Sequence, residues 1–445
     1  MNYIEEYKSK LRTPEEAVKV VKSGDWIDYT ANICFPYLLD KALAKRKDEL
    51  KDVKVRGSLL FGPLEIVECD PEREHFIYNS WHCSNYERKL SDRGLCNYIP
   101  MIFRNVVPYY HYFLDVNVAM MCVTPMDKHG YFNLSGATGV AKGILDKADI
   151  VILEINENLP WINGGFDECI HISDVDYIVE GEHPPLPQMA GGAQPTDIEH
   201  QIAMNIIPYI PSGATLQLGI GSLPNALGNM MVESDLKDLG MHTDLFSDAY
   251  LKLFQAVKLT NKKKTLHNGK GLTGMVIGTP DLYEWVDHNP GVMIAPLEYV
   301  NAAETIAKND NMISINNCIA VDLYGQICAE SAGLRHISGT GGQLDYVTGA
   351  AMSKGGKAFI CMTSAYTGHD GELKSRIVPH FSGDIITDPR SQSYLVCTEY
   401  GVVNLVGRST WERAELLISI AHPDFRDSLI KEAENQKIWI RSNKR

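Results

Sequence analysis

Residues 240–247 read Gly-Met-His-Thr-Asp-Leu-Phe-Ser, and this stretch holds one carboxylate, Asp244, among small and apolar neighbours. A glycine-rich turn, Gly219-Ile220-Gly221-Ser222-Leu223, precedes the stretch, and a second, Gly339-Thr340-Gly341-Gly342, follows it. Glycine-rich turns leave backbone amides open to a ligand. A carboxylate between two such turns suits a nucleophile that works beside donors for an oxyanion. The chemistry is therefore expected in the second half of the chain.

Outward from this stretch, strand and helix patterns alternate. Val118–Val123 reads as a strand, Gly139–Asp146 as a helix, and Ala148–Ile155 as a buried strand with a nearly continuous apolar run. Strands that alternate with helices imply crossover connections and a mainly parallel sheet.

The pattern then repeats at a spacing of roughly 190 residues, which indicates two copies of one α/β unit. The matching pairs are Ser23-Gly24 with Ser212-Gly213, Pro36 with Pro224, and Asp127–Gly130 with Asp322–Gly325. We predict an α/β protein of two similar open domains, residues 1–190 and 191–445, with the active site in the cleft between them. The segment Glu182–Pro187 and the residues Gly191-Gly192-Ala193 predict a linker.

Composition narrows the class of protein. The 445 residues are 44% hydrophobic, enough for large cores, and a formal charge of −14 argues against a nucleic-acid partner. The ten cysteines contain no Cys-x-x-Cys pair, so reduced, mostly buried thiols are expected. The N-terminus lacks a signal-peptide core, and no apolar run is long enough to cross a bilayer. A soluble, cytoplasmic protein without a membrane partner is expected.

The first glycine turn has a recognisable context. Thr215–Leu218 predicts a strand that enters the turn, and a helix is expected to start near Asn225. Amides at a helix N-terminus favour an anion. Dinucleotide binding would need a third glycine, and a Walker loop would need a Gly-Lys-Ser/Thr ending, and both are missing. A tight turn without a ligand is the alternative on these residues alone.

The order and content of these segments resemble the acetyl-CoA hydrolase/CoA-transferase family, specifically its butyrate and 4-hydroxybutyrate CoA-transferase branch. The resemblance implies that Asp244 is the nucleophile, and that Asn301 and Gly342 help hold the thioester carbonyl. It implies coenzyme A contacts at Gly219, Ile220, Gly221, Ser222, Leu223, Ile319 and Gly342.

One position departs from the family, which carries a glutamate where this chain has Asp244. The aspartate side chain is shorter by one methylene, about 1.5 Å of reach. A misplacement of about 1 Å can cost on the order of 100-fold in rate. Asp244 is therefore either a nucleophile with a compensating loop or a substitution that lowers activity. Asp248, four residues on, is the less favoured substitute.

The expected function is a CoA-transferase that moves CoA between a short acyl-CoA, butyryl-CoA or 4-hydroxybutyryl-CoA, and acetate. The mechanism would be ping-pong through an enzyme carboxylate–CoA thioester. The alternatives are an acyl-CoA hydrolase on the same fold and a catalytically impaired CoA-binding protein. Coenzyme A enters as substrate, no permanently bound cofactor is expected, and the resemblance suggests a homo-oligomer.

Other candidate residues are weaker. His242 would share a strand face with Asp244, and a packed or hydrogen-bonded histidine is favoured over a base. No His-Glu-x-x-His motif is present, so no catalytic metal is predicted. Ser222 does not lie in a Gly-x-Ser-x-Gly elbow. Lys270 and the run Lys374-Ser375-Arg376 are either contacts for CoA phosphates or solvated loop charges.

Overall fold

A computed structural model describes residues 3–189 and 194–439. The described chain divides into two compact units. The first unit comprises residues 3–189, Thr243–Asp248 and Lys270–Ala302, and the second comprises residues 194–242, Ala249–Gly269 and 303–439. The predicted division at residues 190 and 191, which stays a prediction, differs from these units in two segments, 243–248 and 270–302. The linker residues Gly191-Gly192-Ala193 lie outside the described residues.

The first eight-stranded sheet has the order β1-β8-β7-β6-β2-β3-β4-β5. All its neighbouring strands are parallel. Its strands are β1 (Leu11–Arg12), β2 (Trp26–Ala31), β3 (Val53–Ser58), β4 (Phe76–Ser80), β5 (Asn97–Tyr98), β6 (Val118–Val123), β7 (Ile150–Ile155) and β8 (Tyr177–Val179). Strand β6 has the predicted bounds and is buried along its whole length, as expected for a strand covered on both faces.

The second eight-stranded sheet has the order β12-β11-β10-β9-β13-β14-β15-β16, and its last pair is antiparallel. Its strands are β9 (Thr215–Leu218), β10 (Gly240–Phe246), β11 (Gly271–Val276), β12 (Val292–Ile294), β13 (Met312–Asn317), β14 (Lys357–Cys361), β15 (Leu395–Thr398) and β16 (Gly401–Asn404). The Gly240–His242 half of β10 pairs with β9 in the second unit. The Thr243–Phe246 half belongs to the first unit, as does β11.

The two sheets share one topology. Seven consecutive strands of the first sheet, β8-β7-β6-β2-β3-β4-β5, correspond in chain order to β15-β14-β13-β9-β10-β11-β12 of the second. The fold class predicted from the alternation and the repeat, a mainly parallel α/β duplication, is confirmed.

Helices follow most of the strands, as crossover connections require. The α-helices are Tyr3–Lys10, Pro14–Ala17, Tyr37–Ala44, Glu65–Glu68, Asn85–Asp92, Val106–Tyr112, Thr138–Lys147, Asp197–Ile206, Ser222–Glu233, Asp248–Gln255, Pro280–Val286, Leu297–Val300, Ala303–Ala307, Gln343–Met352, Thr410–Ser419 and Pro423–Asn435. The helix Asp197–Ile206 starts with a capping box between Thr196 and Glu199, which satisfies two otherwise unpaired N–H groups.

Short strands complete the fold. They are Tyr131–Asn133 with Cys169–His171, Ala320–Asp322 with Ile327–Cys328 and Ile377–Val378, Ser331–Ala332 with Arg335–His336, and Ala365–Thr367 with Leu373–Ser375. All ten cysteines are free, and seven of them are buried. Within the described ranges, no helix has the length and apolar character needed to cross a membrane.

Candidate active site

Strand β10 presents Asp244. Every other residue of this strand is buried, whereas Asp244 is partly exposed. A strand buried on both faces would normally carry no carboxylate, because an ionised group loses hydration there. Asp244 therefore lies at the edge of the hydrophobic core, where its side chain remains accessible.

Hydrogen bonds hold the Asp244 carboxylate. The Leu245 N–H donates to Oδ1 at 2.9 Å. The Asp244 backbone N–H and the Asn301 side chain also donate to the carboxylate, while the Thr243 hydroxyl donates to the Leu245 carbonyl at 3.2 Å. Desolvation outweighs these donors and raises the pKa of Asp244 to about 6. The carboxylate is thus ionised at neutral pH and more basic than an exposed aspartate.

Packing within the first unit brings Asn301 to Asp244. Asn301 is fully buried and follows the short helix Leu297–Val300, where its N–H donates to the Leu297 carbonyl at 2.8 Å. Leu297 packs against Gly274 of β11, and a Cβ added at Gly274 would lie 2.5 Å from Leu297 Cδ2. The same added Cβ would lie 3.3 Å from the Asp244 carbonyl oxygen. Of the predicted site residues, Asp244 and Asn301 are brought into contact, and their roles stay predictions.

The first glycine turn differs from the prediction at one point. The helix after β9 begins at Ser222, three residues before the predicted Asn225. Pro224 fits into its first turn because the N–H groups there have no helical partner in any case. Gly221 has a φ of +117°, a conformation that glycine alone adopts readily. Leu223 is buried, and its contact with CoA stays a prediction.

The second glycine turn rests on two buried acids that the sequence did not single out. Gly342 is the N-cap of the helix Gln343–Met352. The Gln343 side chain donates to Asp388 Oδ2 at 2.6 Å, and the Thr340 hydroxyl donates to Glu330 Oε2 at 3.4 Å. Burial, and to a lesser degree the charge of Glu330, raises the pKa of Asp388 to about 6, although the Gln343 hydrogen bond lowers it. No local pattern links acids so far apart in sequence.

The two remaining predicted contacts, Ile319 and Lys270, belong to different units. In the second unit, the Ile319 N–H donates to the Cys328 carbonyl at 2.8 Å, and the Ile319 carbonyl accepts from Arg376 Nη1 at 2.9 Å. In the first unit, Lys270 lies at the surface, just before β11, and its Nζ donates to the Pro290 carbonyl at 2.9 Å. These two positions remain predictions of CoA contacts.

Two polar side chains near Asp244 in sequence have structural partners. His242 is fully buried, and its Nδ1 lies 2.8 Å from the Asn309 side-chain nitrogen, which agrees with the packed interpretation. Asp248 begins a helix and accepts from the Thr279 hydroxyl at 2.6 Å and the Thr279 N–H at 3.2 Å. Both arrangements leave Asp244 as the better candidate for the nucleophile.

Comparison with known proteins identifies relatives over both halves of the chain. Residues 1–189 match the acetyl-CoA hydrolase/transferase N-terminal domain, and residues 278–433 match the corresponding C-terminal domain. The chain is 49% identical to a butyryl-CoA:acetate CoA-transferase of Anaerostipes caccae, over 100% of both chains. It is 40% identical to a 4-hydroxybutyrate coenzyme A transferase of Clostridium kluyveri, over 97% of this chain and 99% of the other.

A solved structure agrees with the fold. RipA from Yersinia pestis superposes with a TM-score of 0.88 at 33% identity, over 99% of this chain and 100% of the other. The similarity therefore extends over both halves of the described structure.

Proposed function

The chain belongs to the acetyl-CoA hydrolase/transferase family, and from that membership we propose that it is a CoA-transferase that exchanges CoA between a short-chain acyl-CoA and acetate. The two full-length relatives support butyryl-CoA or 4-hydroxybutyryl-CoA as the acyl donor. Coenzyme A then enters and leaves as substrate and product, and no resident cofactor takes part.

The observation that carries the proposal is the partly exposed Asp244 carboxylate on an otherwise buried strand. An Asp244 oxygen attacks the thioester carbonyl and expels the CoA thiolate, which leaves a mixed anhydride. The thiolate then attacks the Asp244 carbonyl carbon, releases butyrate and forms an Asp244–CoA thioester. Acetate reverses both steps and leaves as acetyl-CoA, so the bonds broken and formed balance and the kinetics are ping-pong.

Asn301 has a second role in this scheme. Its side-chain amide donates to the Asp244 carboxylate in the resting protein. During attack that oxygen becomes part of the anhydride, and the amide is then available to the oxyanion that forms on the adjacent carbonyl. A donor of this kind contributes on the order of 10²- to 10³-fold in rate. For Gly342, Gly219–Leu223, Ile319 and Lys270 we propose contacts with coenzyme A.

The test is incubation with butyryl-CoA in the presence and absence of acetate. A transferase forms acetyl-CoA in proportion to acetate and releases little free CoA without it. Release of free CoA that does not depend on acetate would instead indicate a hydrolase. Tight CoA binding with no exchange under any acid would indicate an impaired CoA-binding protein.

The covalent intermediate is tested separately. Incubation with butyryl-CoA and no acceptor should leave CoA attached to the peptide that contains Asp244. Borohydride or hydroxylamine cleaves that thioester and marks the residue, which mass spectrometry then identifies. A labelled peptide from elsewhere in the chain would reassign the nucleophile.

A further inference from the structure

Arg376 has an unusual environment in the second unit. Its guanidinium is partly buried, and its Nη1 donates to the Ile319 carbonyl at 2.9 Å while its Nε donates to the Thr363 hydroxyl at 3.1 Å. The Arg376 Cζ lies 4.6 Å from the centre of the Tyr366 ring. The backbone is fixed as well, because the Arg376 N–H donates to the Ser364 carbonyl at 2.9 Å.

These contacts leave most of the guanidinium unused. Of the five N–H donors of an arginine, two point to Ile319 and Thr363, and the other three have no acceptor among residues 3–189 and 194–439. In the same ranges, no carboxylate forms an ion pair with Arg376. A partly buried cation held by neutral oxygens and one aromatic ring is prepared for an anion that comes from outside the chain.

Three acids of the second unit, Glu399, Asp388 and Asp370, already have partners. Glu399 accepts from the Ser364 hydroxyl at 2.6 Å and from the Ser364 N–H at 2.9 Å. Asp388 accepts from Gln343, and the neighbouring Lys374 pairs with Asp370 at 2.6 Å. A side-chain rearrangement that gave Arg376 one of these three carboxylates would therefore break an existing hydrogen bond.

The position of Arg376 indicates what the anion belongs to. Ile319 follows β13, Thr363 follows β14, and the turn at Gly219–Ser222 follows β9, which are three neighbouring strands of one sheet. Asn317 reaches towards the Ile220 carbonyl, and the Gly219 N–H donates to the Ile315 carbonyl at 2.8 Å. The carboxyl ends of adjacent parallel strands are where phosphate-bearing ligands bind in such sheets.

We propose that Arg376 is a phosphate-binding residue for coenzyme A, and that Ile319 and Thr363 hold its guanidinium fork in place for that purpose. The inference rests on the proposed function, since coenzyme A supplies the phosphate. A planar guanidinium fork matches a phosphate with two parallel N–H···O bonds, whereas a lysine meets it as a point charge. Coenzyme A offers two such groups, its diphosphate and its 3′-phosphate.

The experiment compares Arg376→Met, Arg376→Lys and a matched control on three donors. The donors are butyryl-CoA, butyryl-dephospho-CoA, which lacks the 3′-phosphate, and butyryl-pantetheine, which has no phosphate. The control is Arg413→Met, because Arg413 is likewise held by carbonyl oxygens, those of Arg390 at 2.6 Å and Tyr324 at 3.4 Å. The readout is kcat/KM at saturating acetate.

Arg376→Met should lower kcat/KM for butyryl-CoA by about 10- to 100-fold, the range for a lost charge-assisted hydrogen bond pair. For butyryl-pantetheine the loss should be below about twofold, because no phosphate is present to lose its partner. Arg376→Lys should fall between the parent and the methionine variant. Butyryl-dephospho-CoA identifies the group: a loss that persists assigns the diphosphate, and one that disappears assigns the 3′-phosphate.

For the control Arg413→Met, any loss of kcat/KM should be equal on all three donors. An equal loss for Arg376→Met would mean that Arg376 acts only in folding and would overturn the proposal. No loss on any donor would overturn it as well. If the parent protein shows no CoA exchange with any of the acids tested, the transferase proposal fails. Calorimetry with free CoA and free pantetheine then tests the role of Arg376 by itself. In that experiment Arg376→Met should weaken binding of CoA and leave that of pantetheine unchanged. Equal effects on the two ligands would again overturn it.

Discussion

The two sheets have the same strand order but differ in the polar groups at matching positions. In the first sheet Asp28 of β2 lies opposite Arg56 of β3, with a 3.1 Å ion pair between two fully buried side chains. In the second sheet, by the equivalent register, Gln217 of β9 and His242 of β10 take those places. Gln217 exchanges hydrogen bonds with Ser314 and Asn316, and every member of that group is neutral.

The difference shows how one topology serves two purposes. In the first sheet Arg56 offsets the charge of Asp28, and the Tyr110 hydroxyl donates to Asp28 at 2.7 Å. Asp244 lies two residues after His242 in β10, and Ser58 lies two residues after Arg56 in β3. Asp244 and Ser58 are therefore at matching positions of the two sheets. The largest effects that lower the pKa of Asp244 are hydrogen bonds, from the Leu245 N–H, the Asp244 N–H and the Asn301 side chain, rather than the charge of a cation. A carboxylate without a cation beside it keeps the basicity that a nucleophile needs.

The test with the largest expected effect replaces each of the matching residues, Asp244 and Ser58, by alanine. Asp244→Ala should lower the exchange rate by at least on the order of 10³-fold, because the reacting group is gone. Ser58→Ala, which removes a 3.3 Å hydrogen bond to the His82 carbonyl, should cost far less. The measurement is acetyl-CoA formation from butyryl-CoA, with CoA binding by calorimetry as the check on folding. A full rate for Asp244→Ala would remove the mechanism.

The second test breaks the buried ion pair of the first sheet. Arg56→Met should lower the free energy of unfolding by about 3–5 kcal/mol, because it leaves Asp28 buried without its cation. Gln217→Met in the second sheet should cost only about 1–3 kcal/mol, the usual range for unsatisfied neutral groups. Chemical denaturation followed by circular dichroism compares the two. The double variant Asp28→Leu/Arg56→Met should recover much of the loss, and its failure to do so would assign the effect to packing.

The third test introduces glutamate, the residue that the family resemblance implies at position 244. Asp244→Glu lengthens the side chain by about 1.5 Å and should raise the exchange rate, by up to on the order of 100-fold, if reach limits the parent. Steady-state rates with butyryl-CoA and acetate measure this. A slower Asp244→Glu protein would show that the surroundings are built around aspartate.

A fourth test uses pH. Attack needs the ionised carboxylate, so kcat/KM for the acyl-CoA should fall about tenfold per pH unit below a pKa of about 6 and level off above it. Asn301 lowers that pKa, so Asn301→Ala should move the break to higher pH as well as reduce the plateau. A break that stays in place would place the titration on another group.

The smallest expected effect is on stability. Because the pKa of Asp244 is higher in the folded protein than in the unfolded chain, the protonated form favours folding, and that contribution is lost as pH rises through about 6. Asp244→Asn should therefore stabilise the protein at pH 8, by on the order of 1 kcal/mol after solvent screening, and have little effect below pH 4. Thermal melts at both pH values give the comparison, and an equal shift at the two would exclude the carboxylate as its cause.

Local patterns predicted much of the fold. The run Val118–Val123 and the strand Thr215–Leu218 have the predicted bounds, because continuous apolar residues between turns have few other ways to be buried. The repeat of short motifs predicted the duplication. The order of the strands in each sheet could not be predicted from the sequence, because it depends on which distant segments pair.

Only those site residues that the family resemblance identifies could be predicted from the sequence. It singled out Asp244 and Asn301, but their contact depends on Leu297 and Gly274, which are ordinary apolar and small residues in the sequence. The helix start was predicted three residues too late, because Pro224 is tolerated in the first turn of a helix. Glu330, Asp388 and the surroundings of Arg376 depend on contacts between residues ten or more positions apart, which no local pattern records.

Gly274 shows that a catalytic phenotype need not mark a catalytic group. The residue carries no reactive atom, yet a single added carbon there would collide with Leu297, whose helix carries Asn301. A saturation library screened for growth on the products of this enzyme would therefore score position 274 as sensitive to every side chain that a shift of Leu297 does not accommodate. Genetic mapping would then assign Gly274 to the active site, although this residue does not contact the substrate.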